Sequence, residues 1–102
     1  MHRKISWTER ASYEFQNTLN YWNERNATFD YSNKIRNAVK EAEENLMQFP
    51  FIGRLLVNRR AKNVRRLIIL RNYSLYYKLD DDNNITVLFF FDNRNNPAKL
   101  KF

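Results

Sequence analysis

Positively charged side chains, which could bind phosphate or carboxylate groups, are concentrated in one stretch of the chain. Residues 45–79 hold eight Lys and Arg and no acid, residues 1–44 hold seven of each sign, and residues 80–102 hold three cations and four Asp. The formal net charge of +7 therefore arises in the middle of the sequence. Such a stretch favours an anionic partner, either nucleic acid or an acidic protein. The alternative is a solvated basic face that only aids solubility.

Four arginines could also stabilise the charge that develops on phosphorus during RNA cleavage. They are Arg65, Arg66, Arg71 and Arg94. A guanidinium suits this role because it can donate two parallel hydrogen bonds to phosphate oxygens. Cleavage also needs a general base and a general acid, and Lys62, Asp92 or a strand Tyr would have to serve, since there is no His near the C-terminus. The sequence is compatible with catalysis but does not require it.

Aromatic residues interleave with these cations, a composition that suits RNA because rings stack on bases while cations meet phosphates. Aromatic strand residues are more often core or protein-contact residues, so both interpretations stay open. The predicted binding residues, for nucleic acid or for a protein, are Arg59, Arg60, Lys62, Arg65, Arg66, Arg71, Tyr76, Lys78 and Phe90.

No cofactor or metal site is predicted. The chain has no Cys, its one His is His2, and the run Asp80–Asp82 is typical of a solvated turn. The longest apolar runs, Leu67–Leu70 and Ile85–Phe91, are too short to span a bilayer, and the basic N-terminus leads into no apolar segment. We therefore expect a cytoplasmic protein without a membrane partner.

Two amphipathic helices follow a short strand at Ile5–Trp7. Thr8 suits the N-cap of the first helix, and the second starts near Thr28 or Asp30 and ends before Pro50. The predicted apolar face of the first helix is Ala11, Phe15, Leu19 and Trp22, and that of the second is Tyr31, Ile35, Ala38, Val39, Ala42, Leu46 and Phe49.

Beyond a linker at 51–62, the apolar period changes to two and predicts three strands. They run over Val64–Leu70, Tyr73–Leu79 and Ile85–Phe91, with a tight turn at Arg71–Asn72 and a looser one at Asp80–Asn84. The order is β-α-α-β-β-β. This predicts one α+β domain over residues 1–102, with the helical hairpin packed on one face of an antiparallel-rich sheet.

Side-chain alternation assigns the two faces of this sheet. The set expected beneath the helices is Ile68, Leu75, Tyr77, Val87 and Phe89, and the set expected on the open face is Arg65, Tyr76, Lys78 and Phe90. A register shift of one residue would exchange the two sets.

A series of short motifs occurs in a recognisable order over nearly the whole chain. They are Ile5-Ser6-Trp7-Thr8 with Ala11, Tyr21-Trp22-Asn23-Glu24-Arg25, Leu46 with Pro50 and Gly53, Asn63-Val64-Arg65-Arg66-Leu67, Tyr73-Ser74-Leu75-Tyr76-Tyr77 and Phe91-Asp92-Asn93-Arg94-Asn95-Asn96-Pro97. In this ordered set the chain resembles the RelE/ParE superfamily of type II toxin–antitoxin toxins, which serve in plasmid stabilisation and growth inhibition.

The resemblance implies an antitoxin whose C-terminal segment wraps and neutralises the toxin. It also implies one of two activities, ribosome-dependent mRNA cleavage in RelE-like members or poisoning of DNA gyrase in ParE-like members. By position, Arg65 matches the arginine that the nucleases direct at the scissile phosphate, and Arg94 matches a C-terminal arginine of both branches. The C-terminal Tyr or His of the nucleases has no counterpart among residues 95–98, which favours the ParE-like branch. A non-toxic nucleic-acid-binding module is a further hypothesis.

Overall fold

Two helices cover one face of a five-stranded sheet in the computed structural model, which describes residues 3–57, 60, 62–100 and 102. The elements in chain order are β1 (Ile5–Trp7), α1 (Glu9–Asn26), α2 (Asp30–Gln48), β2 (Arg54–Leu55), β3 (Val64–Ile69), β4 (Tyr73–Leu79), β5 (Ile85–Asp92) and a 3₁₀ turn (Pro97–Lys99). The predicted α+β architecture is confirmed. The added element is β2, two residues within the predicted linker that pair with β3.

The strands lie in the order β1-β5-β4-β3-β2, so β4 is central. β1 runs parallel to β5, and the other neighbours are antiparallel. No helix in the part of the chain that the structure describes is both long enough and apolar enough to cross a membrane.

Both helices begin and pack largely as their patterns predict. The Thr8 hydroxyl accepts a hydrogen bond from the Ala11 N–H at 3.1 Å, which satisfies one free donor of the first turn of α1. Ala11 and Leu19 are fully buried, and every predicted residue of α2 except Phe49 lies in or against the same core. The assignment of Phe49 is wrong, because α2 ends at Gln48 and the turn before Pro50 leaves Phe49 60% exposed.

The turn between β3 and β4 is longer than predicted and shifts the register of β3. Ile69 pairs with Tyr73, which leaves three residues in the loop where the sequence predicted two. As a result Leu67, and not Ile68, lies opposite the core residue Leu75. The prediction for Ile68 is therefore wrong: it faces away from the helices and is 56% exposed. Arg65 was predicted on the open face, but it pairs with Tyr77 and lies on the helix side of the sheet.

A β-bulge in β5 causes the second error. Tyr76 pairs with Phe89 while Tyr77 pairs with Val87, so Leu88 has no residue opposite it. The alternation along β5 changes phase at this point. Val87 packs beneath the helices as predicted, but Phe89 lies on the open face and Phe90 in the core, the reverse of the assignment from strict alternation.

Leu75, Tyr77 and Val87 are confirmed as core residues, and Tyr76 and Lys78 as open-face residues. The open face carries a second, smaller core, because Val64, Tyr76, Phe89 and Phe91 are buried there. The residues that cover this cluster include Leu56, Leu88, Leu100 and Phe102. The sheet is thus apolar on both sides, with the larger core beneath the helices.

The residue that ends α1 yields a stability prediction. Ala27 is exposed and has a φ of 54°, in the left-handed region that costs a residue with a Cβ about 1 kcal/mol relative to Gly. We expect Ala27→Gly to raise the free energy of unfolding by about 1 kcal/mol in urea titrations. The control is Ala38→Gly inside α2, which should lower it by about 1 kcal/mol. Destabilisation by both substitutions would contradict the left-handed cap.

Candidate partner-binding surfaces

A groove of about 530 Å³ lies on the open face of the sheet, beside the N-terminus of α1. This open-face groove is lined by Thr8, Arg10, Arg60, Lys62, Val64, Lys78, Leu88, Phe89 and Phe102. Its floor is aliphatic and aromatic, four of its lining residues are cations, and none of the described lining residues is acidic. The groove therefore combines apolar contact area with a positive field.

Arg10 is the cation of this groove that sequence reasoning missed. It lies on α1, outside the basic stretch, and its guanidinium carbon is 4.7 Å from the centroid of the Phe89 ring, a cation–π distance. The same guanidinium donates a hydrogen bond to the Lys99 carbonyl at 3.3 Å. No local signal marked Arg10, because only the parallel placement of β1 beside β5 brings the start of α1 to this face.

The C-terminal segment packs on the aromatic cluster of the open face. Phe102 meets Tyr76 and Phe89 edge-on, with ring centroids 5.6 and 5.3 Å apart. The 3₁₀ turn that leads to it is capped by Asn96, whose side-chain oxygen accepts from the Ala98 N–H at 3.0 Å. Tyr76, predicted as a binding residue, is therefore only 7% exposed and contacts the chain's own C-terminus.

Phe90 is not available to any partner in this fold. Its ring is 2% exposed and packs between Phe15 of α1 and Tyr73 of β4, with centroids 5.2 Å from each. The binding role predicted for Phe90 rested on its open-face assignment, which the β-bulge at Leu88 reverses.

The other predicted cations are spread over different parts of the surface. Lys62 and Lys78 are exposed beside the open-face groove, and Arg60 is an exposed lining residue of it. Arg66 lies on the open face and donates from Nε to the Ser74 hydroxyl at 2.8 Å. Arg71 is exposed in the β3–β4 turn. Arg59, also predicted to bind, lies outside the described residues.

Arg65 braces the loop that follows α2. Its Nη1 donates to the carbonyl of Gly53 at 2.8 Å and to that of Phe51 at 3.2 Å, and its guanidinium lies 4.9 Å from the Phe51 ring centroid. Opposite it, the buried Tyr77 hydroxyl accepts from the Gly53 N–H at 2.9 Å and donates to the Pro50 carbonyl at 2.8 Å. Burial raises the pKa of this phenol, against the smaller effects of the Gly53 N–H and of Arg65.

Gly53, the chain's only glycine, is required by this close approach. A Cβ at this position would lie 2.5 Å from the Tyr77 hydroxyl oxygen, closer than any ordinary contact. Phe51–Gly53 were predicted as part of a linker, and Arg65 as a candidate catalytic residue. In the structure they form one bracing unit, which consists of Pro50–Gly53, Arg65 and Tyr77.

Arg94 lies in a separate pocket of about 450 Å³ between α1 and the end of β5. This Arg94 pocket is lined by Asn17, Thr18, Tyr21, Trp22, Arg25, Tyr73, Asp92, Arg94 and Asn95. Arg94 holds the Asp92 carboxylate in a fork, with Nε to Oδ1 at 2.9 Å and Nη2 to Oδ2 at 2.8 Å. Burial opposes ionisation of Asp92, but the hydrogen bonds from Arg94 outweigh it and lower the pKa of Asp92.

The structure does not bring Arg65 and Arg94 together. Arg65 pairs with Tyr77 of β4, whereas Arg94 follows Asp92, the partner of Tyr73. Tyr73 and Tyr77 lie four positions apart on β4, about 13 Å along the strand. Their hydrogen bonds are also independent, since Arg65 donates to the carbonyls of Phe51 and Gly53, whereas Arg94 donates to Asp92 and Tyr73. One phosphate cannot bridge them in this conformation.

No group of three or more His, Cys, Asp or Glu side chains able to hold a metal ion occurs within residues 3–57, 60, 62–100 and 102.

Comparison with known proteins agrees with this fold. The family model described as the ParE toxin of the type II toxin–antitoxin system parDE matches residues 5–97. A solved structure, described as the chromosomal ParDE TA system from P. aeruginosa, superimposes with a TM-score of 0.70 and 16% sequence identity, covering 89% of this chain and 96% of that chain. A search of curated proteins finds no match.

The match over residues 5–97 places this chain in a defined class, the small α+β toxins of type II toxin–antitoxin systems. The chain belongs to the ParE toxin family. This confirms the resemblance to the RelE/ParE superfamily and the preference for its ParE-like branch.

The bracing unit predicts an asymmetry between two adjacent tyrosines. Tyr77→Phe leaves the Gly53 N–H and the Pro50 carbonyl without their partner, so we expect a loss of about 1–3 kcal/mol in the free energy of unfolding. Tyr76→Phe is the matched control, because no hydrogen bond of its hydroxyl is part of the unit, and we expect a change within about 0.5 kcal/mol. Urea unfolding of both variants checks this. Equal losses would mean that the Tyr77 hydroxyl does not brace the loop.

Proposed function

We propose that this chain is the growth-inhibiting toxin of a type II toxin–antitoxin module, that a cognate antitoxin neutralises it, and that its target is DNA gyrase. Membership of the ParE family supports the toxin assignment. The observation that supports gyrase over the ribosome is the separation of Arg65 from Arg94, because phosphate cleavage needs convergent groups. The proposed target places its action in the cytoplasm.

The antitoxin is proposed to occupy the open-face groove. Four cations surround an apolar floor there, which suits an extended or helical segment that carries both acidic and apolar residues. A segment of this kind is disordered when free and orders on binding, so the groove would supply both the apolar area and the charge complementarity that stabilise the complex.

A ribosome-dependent nuclease is the alternative target class, and two features weigh against it. The Nη1 of Arg65 is occupied by two backbone carbonyls on the helix side of the sheet, away from the open face. The segment after Arg94 reads Asn95, Asn96, Pro97 and Ala98, without the Tyr or His that could protonate a leaving oxygen. The open face therefore carries cations that can bind a partner, but it does not combine Arg65 or Arg94 with the general acid and base that RNA cleavage needs.

Charge reversal tests the groove as the antitoxin site. The double variant Lys62→Glu/Lys78→Glu changes two exposed groove cations, and the matched control Lys34→Glu/Lys40→Glu makes the same charge change on the exposed side of α2. We expect the groove variant to weaken the complex with the antitoxin by about tenfold or more, and the control by about threefold or less, in calorimetry at low salt.

We expect the gene that neighbours this one to encode the antitoxin for this measurement, and co-expression with it to restore growth. Equal losses of affinity in the two double variants would mean that only the overall charge matters and that the groove is not the docking site.

A paired assay tests the target. We expect the purified chain to inhibit supercoiling by DNA gyrase, and to leave defined mRNA intact on translating ribosomes. Arg94→Ala and Arg65→Lys are the variants for the ribosome arm, since Arg65→Lys retains a cation beside the Gly53 carbonyl. Discrete cuts in mRNA that disappear in both variants, with unchanged melting temperatures and unaffected supercoiling, would overturn the gyrase proposal in favour of the nuclease.

A further inference from the structure

The Tyr73 hydroxyl carries a hydrogen that the described protein leaves without an acceptor. Its oxygen accepts from the Trp22 Nε1–H at 2.7 Å and from Arg94 Nη2 at 3.4 Å. A phenol is both a donor and an acceptor, and both of these contacts use it as the acceptor, so its donor is left. The described residues supply no acceptor for it, although Tyr73 is 1% exposed and lines the Arg94 pocket.

The position of this donor is fixed by packing. The Tyr73 ring stacks on Phe90 with 5.2 Å between centroids and an interplanar angle of 19°. Trp22 is in turn held edge-on against Tyr31, at 4.8 Å. A buried donor of this kind costs free energy unless something accepts from it. Burial raises the pKa of Tyr73 despite the hydrogen bond from Trp22, so the phenol keeps its proton at neutral pH.

Two guanidinium groups line the same pocket. Arg94 uses Nε and Nη2 for Asp92 and Tyr73, and its Nη1 has no acceptor among the described residues. Arg25 makes one long contact, from Nη1 to the Tyr21 hydroxyl at 3.5 Å. The pocket therefore presents a phenol donor and two guanidinium groups with unused N–H bonds, a donor set that suits an oxyanion.

The net charge of the pocket indicates which kind of oxyanion it would bind. Its ionised lining groups are Arg25, Arg94 and Asp92, which give the pocket a net charge of +1. One carboxylate would neutralise this charge. A nucleic-acid backbone needs a series of cations, whereas the other polar lining groups here are the neutral side chains of Asn17, Thr18 and Asn95.

The aromatic wall and the size of the pocket agree with a side chain as the ligand. Tyr21 is 53% exposed and meets Trp22 edge-on at 5.0 Å, which forms an apolar wall for an aliphatic stem. A cavity of about 450 Å³ can accommodate a side chain but not a whole domain.

We propose that the Arg94 pocket is a carboxylate-binding site for a Glu or Asp side chain of a protein partner, with the Tyr73 hydroxyl, Arg94 and Arg25 as its donors. The assignment of that side chain to the antitoxin rests on the proposed function. The pocket itself does not, since its donors and charge are properties of this chain alone.

Nuclear magnetic resonance of the indole N–H groups tests the pocket directly. The probes are N-acetylglutamate N-methylamide, its glutamine counterpart and inorganic phosphate. We expect the glutamate probe to shift the Trp22 Nε1–H signal saturably, and the glutamine probe to leave it in place. The Trp7 Nε1–H is an internal control, because it donates to Glu43 at 3.0 Å and lies outside the pocket.

Two variants separate the donors from general charge effects. Arg25→Gln should weaken the glutamate probe about tenfold, whereas Arg36→Gln, an equal charge change on the exposed side of α2, should not. Tyr73→Phe removes the phenol donor together with the acceptor of the Trp22 Nε1–H, and should weaken the probe about tenfold as well. The loss of this hydrogen bond from Trp22 could prevent Tyr73→Phe from folding. In that case Arg25→Gln alone tests the proposal.

Equal binding of the glutamate and glutamine probes, or no saturable shift from either, would overturn the site. Tighter binding of phosphate than of the glutamate probe would overturn the carboxylate assignment. The affinity of the antitoxin is measured separately. A tenfold loss of affinity in Arg25→Gln supports the antitoxin as the protein that supplies the carboxylate. An unchanged affinity would mean that another protein supplies it, and would leave the proposed neutralisation by the antitoxin unaffected.

Discussion

The pairing register of β4, the central strand, is the constraint on which both faces of this protein depend. β4 is paired on both sides, and each pairing carries one departure from regular geometry: a three-residue turn toward β3 and a one-residue bulge at Leu88 toward β5. Because strand side chains alternate, each departure exchanges faces for the residues beyond it. The two together place Leu67, Leu75, Val87 and Phe90 beneath the helices and leave Phe89 on the open face.

The same register divides the arginines of the basic stretch between structure and surface. Arg65 falls on the helix side opposite Tyr77, where its guanidinium satisfies backbone carbonyls of a loop that would otherwise lose their partners. Arg66, its neighbour, falls on the open face. A positive charge in the sequence is therefore not equivalent to a binding charge, because burial and hydrogen bonding decide which cations a partner can reach. Arg60, Lys62 and Lys78 are exposed around the open-face groove, where Arg10 of α1 joins them, whereas Arg71 is exposed in the β3–β4 turn.

Two polar networks on the helix side of the sheet are built around tyrosine hydroxyls in apolar surroundings. Tyr77 closes its network completely, with one hydrogen bond accepted and one donated. Tyr73 accepts twice and leaves its donor open toward the Arg94 pocket. The two tyrosines are four residues apart on the same face of β4, yet one is fully satisfied by its own chain and the other is not. The Tyr77 hydroxyl therefore has a structural role, whereas the Tyr73 hydroxyl can donate a hydrogen bond to a ligand.

Much of the architecture was predictable from local pattern. The apolar spacing of α1 and α2, the cap at Thr8, the change to a period of two after residue 62 and the family motifs were sufficient for the element order and the superfamily. Strand bounds agreed to within one residue at each end, from Val64 to Asp92. The face assignments failed at Ile68, Phe89, Phe90 and Arg65 because a turn length and a bulge depend on both paired strands, and alternation within one strand does not contain that information.

The excess of positive charge in residues 45–79, the α+β order and the ParE-type motifs can be read directly from the amino-acid sequence, since composition and short-range periodicity are local properties. The positions at which those charges act depend on the folded chain. Arg65 holds the loop after α2, and Arg94 lies with Tyr73 and Trp22 in a pocket. Arg10 lies at the open face although it belongs to a helix outside the basic stretch. The physical reason is that contacts between distant residues depend on strand pairing, and pairing is fixed by how the whole core packs.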